Sequence, residues 1–284
     1  MTTLLPVKTG EIYIYFGRYC AVGEISMNRI LIPFLLTSGL ILVMVITGCA
    51  TVQQDMATPV PTPSPGSMTM ITALEQTYPA YLSTPGISGE YPGIVLLHSF
   101  NGLEEGYKEM SDRFASEGFV VIAPEWQTYN QRADDAEVEA VIRASVETLK
   151  SRPDVDTSKI GLTGFCAGGR YTMLFLPQMN EFDAGVAWYG FPYSRGFAND
   201  TTPASHIGEL AVPMLIIHGS RDRASPVTDI YNYTQHLDAS DKYFELKVYQ
   251  GKPHGFMIAN GSLVREEFAE NAYDEMITFF KRRL

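Results

Sequence analysis

From residue 93 onward, short apolar runs alternate with longer stretches in which apolar positions recur every three or four residues. Residues 93–97 are continuously apolar and too short for a surface helix, so they read as a buried strand. Residues 107–117 carry a helical period closed by Gly118, and a second apolar run, 119–123, stops at Pro124. The alternation continues with a helix over 135–150, a strand over 160–164, a helix over 168–175 and a strand over 184–189. Strands over 213–219 and 243–249 enclose a helix over 227–237, and a last helix runs from about residue 264 to 283. Apolar strands separated by helices predict an α/β fold, with a mainly parallel central sheet and helices on both faces. Residues 68–91 read as a short antiparallel edge pair, with Tyr78-Pro79 and Pro85-Gly86 as breakers.

The N-terminal part has a different pattern. Residues 1–26 lack periodicity, and a second methionine, Met27, precedes Asn28-Arg29 and the apolar run 30–46, so Met27 is an alternative start. A basic residue, an apolar stretch and small residues before a cysteine form a signal-peptide pattern, and Ile46-Thr47-Gly48-Cys49 resembles a bacterial lipobox. The resemblance implies cleavage before Cys49 and a lipid on that cysteine; an uncleaved membrane anchor is the other reading. Thr58 to Gly66 contains four prolines, which exclude a helix and favour an extended spacer. The expected organisation is a leader over 1–48, a lipidated cysteine and linker over 49–67, and a folded domain over 68–284, tethered to the extracytoplasmic face of a cell membrane.

Composition narrows the function classes. With 45% hydrophobic and 19% charged residues, the chain is that of a folded protein. A net charge of −11 would repel a polyanion, which argues against a nucleic-acid partner. Cys20, Cys49 and Cys166 show neither disulfide pairing nor metal-ligand spacing, so no metal site is expected.

The candidate chemistry centres on Gly164-Phe165-Cys166-Ala167-Gly168-Gly169, where an apolar run leads in and a helix-compatible run leads out. Strand, tight turn and helix form the context of a nucleophile elbow, and a thiolate at Cys166 would be favoured by the helix N-terminus. Downstream, the strand over 213–219 is followed by Asp222 and the strand over 243–249 by His254. Nucleophile, acid and imidazole thus occur in the chain order of α/β-hydrolases. In that arrangement His254 takes and returns the thiol proton, and Asp222 fixes the imidazole tautomer. His98, Ser99, Trp126, Tyr189 and Arg221 follow strand ends, where ligands gather in such sheets, and are candidate substrate-lining residues; His98 and the aromatic pair also read as core.

Together with Trp188-Tyr189-Gly190, His218-Gly219-Ser220-Arg221-Asp222 and Pro253-His254-Gly255-Phe256, the elbow resembles the dienelactone hydrolase family of the α/β-hydrolase fold, from about residue 70 to the C-terminus. The resemblance implies a cofactor-free Cys-His-Asp triad of Cys166, His254 and Asp222. It further implies a thioester intermediate, a small ester or lactone as substrate, and an oxyanion hole from the backbone N–H groups of Ala167 and of Phe100 or a near neighbour. Two positions depart from the family pattern. Ser99 stands where members carry a glutamate that engages the resting thiol, and apolar Phe256-Met257-Ile258 stands where an arginine holds the substrate carboxylate. A second reading keeps the fold without catalysis, as a small-molecule-binding lipoprotein.

Overall fold

The computed structural model describes residues 65–197 and 201–284; Cys49, the apolar run 30–46 and the other leader and linker positions before residue 65 lie outside them. Eight strands form one sheet: β1 (Ser67–Ala73), β2 (Gln76–Ser83), β3 (Tyr91–Leu97), β4 (Val120–Pro124), β5 (Val155–Phe165), β6 (Ala184–Trp188), β7 (Met214–Gly219) and β8 (Phe244–Tyr249). Their spatial order is β1-β2-β4-β3-β5-β6-β7-β8. β2 runs antiparallel to β1 and β4, and every other neighbouring pair is parallel. This is the expected α/β-hydrolase-like arrangement. In β4, β6 and β7 every residue is buried, the mark of parallel strands covered on both faces.

Among the described residues the covers are five α-helices, α1 (Glu105–Ser116), α2 (Asp135–Lys150), α3 (Ala167–Phe175), α4 (Val227–Ala239) and α5 (Glu267–Arg283). α2, α3 and α4 pack one apolar cluster through Val138, Ile142, Tyr171, Met173, Ile230 and Leu237. α1 and α5 pack the other through Met110, Phe114, Met276, Phe279 and Phe280. α2 starts where the Asp134 carboxylate accepts the Glu137 amide at 2.8 Å, a side-chain cap for a first-turn donor. α1 ends before Gly118, whose φ of 92° suits a glycine.

Three local readings differ from the sequence pattern. Pro79 lies inside β2 rather than breaking it. Its carbonyl accepts the Glu125 amide at 2.8 Å, just past the last β2–β4 pair, so the missing proline N–H removes only a terminal rung. β5 begins at Val155, five residues earlier than the apolar run, because the polar segment Asp156–Lys159 hides its start. The 3₁₀ helix Pro203–Glu209 had no periodic signal.

Candidate active site

The last six residues of β5 are buried, and the chain then reverses at Cys166 with φ 57° and ψ −111°. A non-glycine residue rarely adopts this conformation, which costs on the order of 1–3 kcal/mol and persists only where the surroundings hold it. Here they do: the Cys166 amide donates to the Trp188 carbonyl at 3.1 Å, and the Cys166 carbonyl accepts from the Arg170 amide at 2.9 Å. α3 can start directly above the sheet because residues 164 and 168 lack side chains. A Cβ on Gly164 would strike the Gly168 carbonyl, and one on Gly168 would strike the Leu97 carbonyl. The thiol is left partly exposed at the C-terminal end of the parallel strands.

Two neighbouring strands deliver the partners. Asp222 follows β7, with Oδ1 accepting the Ala224 and Ser225 amides at 2.9 Å each. Its Oδ2 accepts from His254 Nδ1, on the loop after β8, at 2.7 Å. Ser225 Oγ donates to the Gly190 carbonyl at 2.7 Å, tying the acid loop to the loop after β6. Burial acts to raise the Asp222 pKa, but the hydrogen bonds from His254 and the Ser225 amide prevail and hold it below the ordinary carboxylate value. For His254, burial acts against the imidazolium, yet the Asp222 hydrogen bond and the nearby Cys166 sulfur raise its pKa to about 9. With Nδ1 committed to Asp222, Nε2 is buried without a hydrogen-bond partner. Tyr189 and Phe191 flank the ring at 5.1 and 5.3 Å between centroids. This arrangement can move a proton between Nε2 and a group in the adjoining cavity.

Two cavities meet at the thiol. One, of about 240 Å³, is walled by Phe100, Ala167, Tyr171, Phe191 and Phe197. The other, of about 180 Å³, is walled by Ser99, Glu104, Tyr107, Tyr189, His254 and Ile258. Cys166 and Phe100 belong to both. Neither the Phe100 amide nor the Ala167 amide at the start of α3 donates to another described residue, so both are available to an oxygen above the thiol.

The remaining expected lining residues divide. Ser99 and Tyr189 face the smaller cavity. His98 and Trp126 do not line either cavity: both are fully buried and stack at 5.0 Å. Burial lowers the His98 pKa to about 4 against a hydrogen bond between Nδ1 and the Ser99 carbonyl, so its imidazole is neutral. Arg221 is exposed and lines neither cavity. The arginines on the larger cavity are Arg170 and Arg195, which no strand-end rule indicates. Arg170 is consumed by a buried pair with Asp135 at 2.7 and 3.0 Å and by the Ser194 carbonyl. Phe191, Phe197 and Tyr107 also went unread, because loops and a helix end supply them. Among the described residues no group of three or more His, Cys, Asp or Glu is placed to hold a metal ion.

Residues 78–284 match the Dienelactone hydrolase family. The chain belongs to this family. Protein usf of Aquifex pyrophilus is 30% identical over 72% of this chain and 93% of its own length. A Methylorubrum extorquens protein provisionally named carboxymethylenebutenolidase is 28% identical over 72% and 76% respectively. The crystal structure of a provisionally named dienelactone hydrolase from Klebsiella pneumoniae is 26% identical and superposes with a TM-score of 0.70, covering 76% of this chain and 98% of that one. Family membership and these names support hydrolase activity of the dienelactone hydrolase type.

Proposed function

We propose that the chain hydrolyses a small ester or lactone through a thioester on Cys166. The observation that carries the reading is the 2.7 Å contact between His254 Nδ1 and Asp222 Oδ2, which leaves Nε2 beside the cavity that Cys166 lines. His254 Nε2 takes the Sγ proton, and the sulfur attacks the substrate carbonyl carbon. A C–S bond forms and the carbonyl electron pair moves to oxygen, which accepts hydrogen bonds from the Phe100 and Ala167 amides. Collapse breaks the C–O bond, and the leaving oxygen takes the proton from Nε2. Water then attacks the thioester while giving a proton to Nε2; the second oxyanion collapses, the C–S bond breaks, and sulfur regains the proton. Asp222 stabilises the imidazolium at each stage without itself being protonated.

The proposal extends to location. The Ile46-Thr47-Gly48-Cys49 pattern and the proline spacer support a lipid-tethered enzyme on the extracytoplasmic face of a membrane.

An activated p-nitrophenyl ester tests the chemistry. Cys166→Ala and His254→Ala are each expected to lose about a thousandfold in kcat, and the double variant little more, because the pair acts as a unit. Acid-quenched wild type should carry the acyl mass on the Cys166 peptide. Undiminished turnover in Cys166→Ala would overturn the thioester; ligand binding with no turnover in the wild type would favour the silent binding lipoprotein.

A further inference from the structure

The two cavities at the thiol differ in chemistry, and the position of His254 orients a substrate between them. The leaving oxygen must receive its proton from Nε2, and His254 lines only the smaller cavity. The alcohol half of an ester therefore lies there, and the acyl half lies in the larger cavity, beside the Ala167 amide. Aromatic rings dominate the acyl side, with the Phe100 and Phe197 ring centroids 6.0 Å apart. Both arginines on its wall are already engaged, Arg170 by Asp135 and the Ser194 carbonyl and Arg195 by other contacts. The acyl side thus offers apolar faces and no uncommitted charge, which suits an uncharged aryl or branched alkyl group.

The alcohol side holds Glu104. It is partly buried on the turn before α1, and its backbone is fixed by the Glu104 amide donating to the Gly102 carbonyl at 2.9 Å and by the Tyr107 amide donating to its own carbonyl at 3.0 Å. Among the described residues its carboxylate has no hydrogen bond or ion pair, whereas the next residue, Glu105, pairs with Lys108 at 3.1 Å. While the alcohol half is still bound, the His254 cation is matched by Asp222, whose Oδ2 accepts from Nδ1 at 2.7 Å. Apart from the reacting sulfur, Glu104 is then, among the described residues, the one formal charge on that cavity's wall without a partner, and it shares the wall with Tyr107 and Tyr189. A carboxylate beside two aromatic rings is a setting for a cation.

We propose that the preferred substrates are esters joining an uncharged acyl group to a cationic amino alcohol, with Glu104 as the residue that selects the alcohol. This rests on the hydrolase reading and names the substrate class of the same site. An anionic leaving group, or a lactone whose carboxylate would lie in this cavity, meets Glu104 with like charge.

Three esters of one acid, phenylacetic acid, test it: the choline ester, its neutral isostere with 3,3-dimethylbutan-1-ol, and the ester of 3-hydroxypropanoate. In the full-length wild type kcat/KM is expected to rank cation, neutral, anion, with about a tenfold step between the first two, the size that one partly screened charge contact gives. Glu104→Gln should bring the cation-to-neutral ratio close to one and raise the anionic ester, while Glu105→Gln keeps the wild-type ratio. In the wild type, high salt should also reduce the ratio, a check that needs no variant. An equal ratio in wild type and Glu104→Gln, or a wild-type preference for the anion, would overturn the proposal. Turnover of p-nitrophenyl esters with none of the three overturns this inference alone; absence of all ester turnover overturns the hydrolase reading with it.

Discussion

At the residue scale, His254 has opposing forces acting on it. Burial disfavours its cation, and Asp222 and Cys166 restore it to a pKa of about 9, above the ordinary 6.5. A group that binds its proton more tightly when folded stabilises the fold fully below the unfolded pKa, and that contribution is lost as pH rises through the folded one. Urea unfolding should therefore show wild type losing stability between about pH 6.5 and 9 more steeply than His254→Gln. Asp222 has the opposite sign: its lowered pKa contributes stability that disappears only as pH falls through the folded value. Cys166, Asp222 and His254 could be picked from the chain because each lies on the turn or short loop that follows a strand legible in the sequence, in the chain order of α/β-hydrolases. Phe191 and Phe197 could not, since their positions depend on loop paths that carry no periodicity. Arg221 misled for the same reason: it follows a strand, yet the turn points it to solvent.

Among elements, α2, α3 and the loop after β6 meet at one buried ion pair. Arg170 on α3 reaches Asp135 at the start of α2, and its Nε donates to the Ser194 carbonyl at 3.0 Å, on the loop that walls the larger cavity. Removing one partner leaves the other charged and buried, a loss of about 3–5 kcal/mol, whereas replacing both with apolar residues is far milder. Arg170→Met should lower the melting temperature markedly, and Arg170→Met with Asp135→Leu should recover much of it; equal losses would show that the Ser194 bond, not the pair, supports the loop. The central sheet was legible because strands buried on both faces leave unbroken apolar runs. The start of β5 and the antiparallel β1–β2 pair were less so: one side of each is solvated, so polar residues and even Pro79 occur within strands.

On the scale of the whole molecule, the net charge of −11 bears on the proposed tether: an acidic chain gains little from anionic lipid headgroups, so the proposed surface residence would call for a covalent anchor. Intact-mass analysis of protein extracted from membranes is expected to give a chain starting at a lipid-modified Cys49; an unmodified N-terminus upstream of that residue would remove the tether. In the proposed thioester mechanism, the pairing of two cavities with one imidazole also governs the fate of the acyl group once the alcohol has left. Water must approach where Nε2 can accept its proton, which is the space the departing alcohol has just vacated. A second alcohol in that space meets the same base and the same thioester, so the acyl group is partitioned between nucleophiles rather than committed to water. With excess choline and a p-nitrophenyl ester, the chain should act as an acyltransferase. In initial rates, total p-nitrophenol release should hold or rise while free-acid release falls and choline-ester formation saturates with choline concentration, before the new ester is itself hydrolysed.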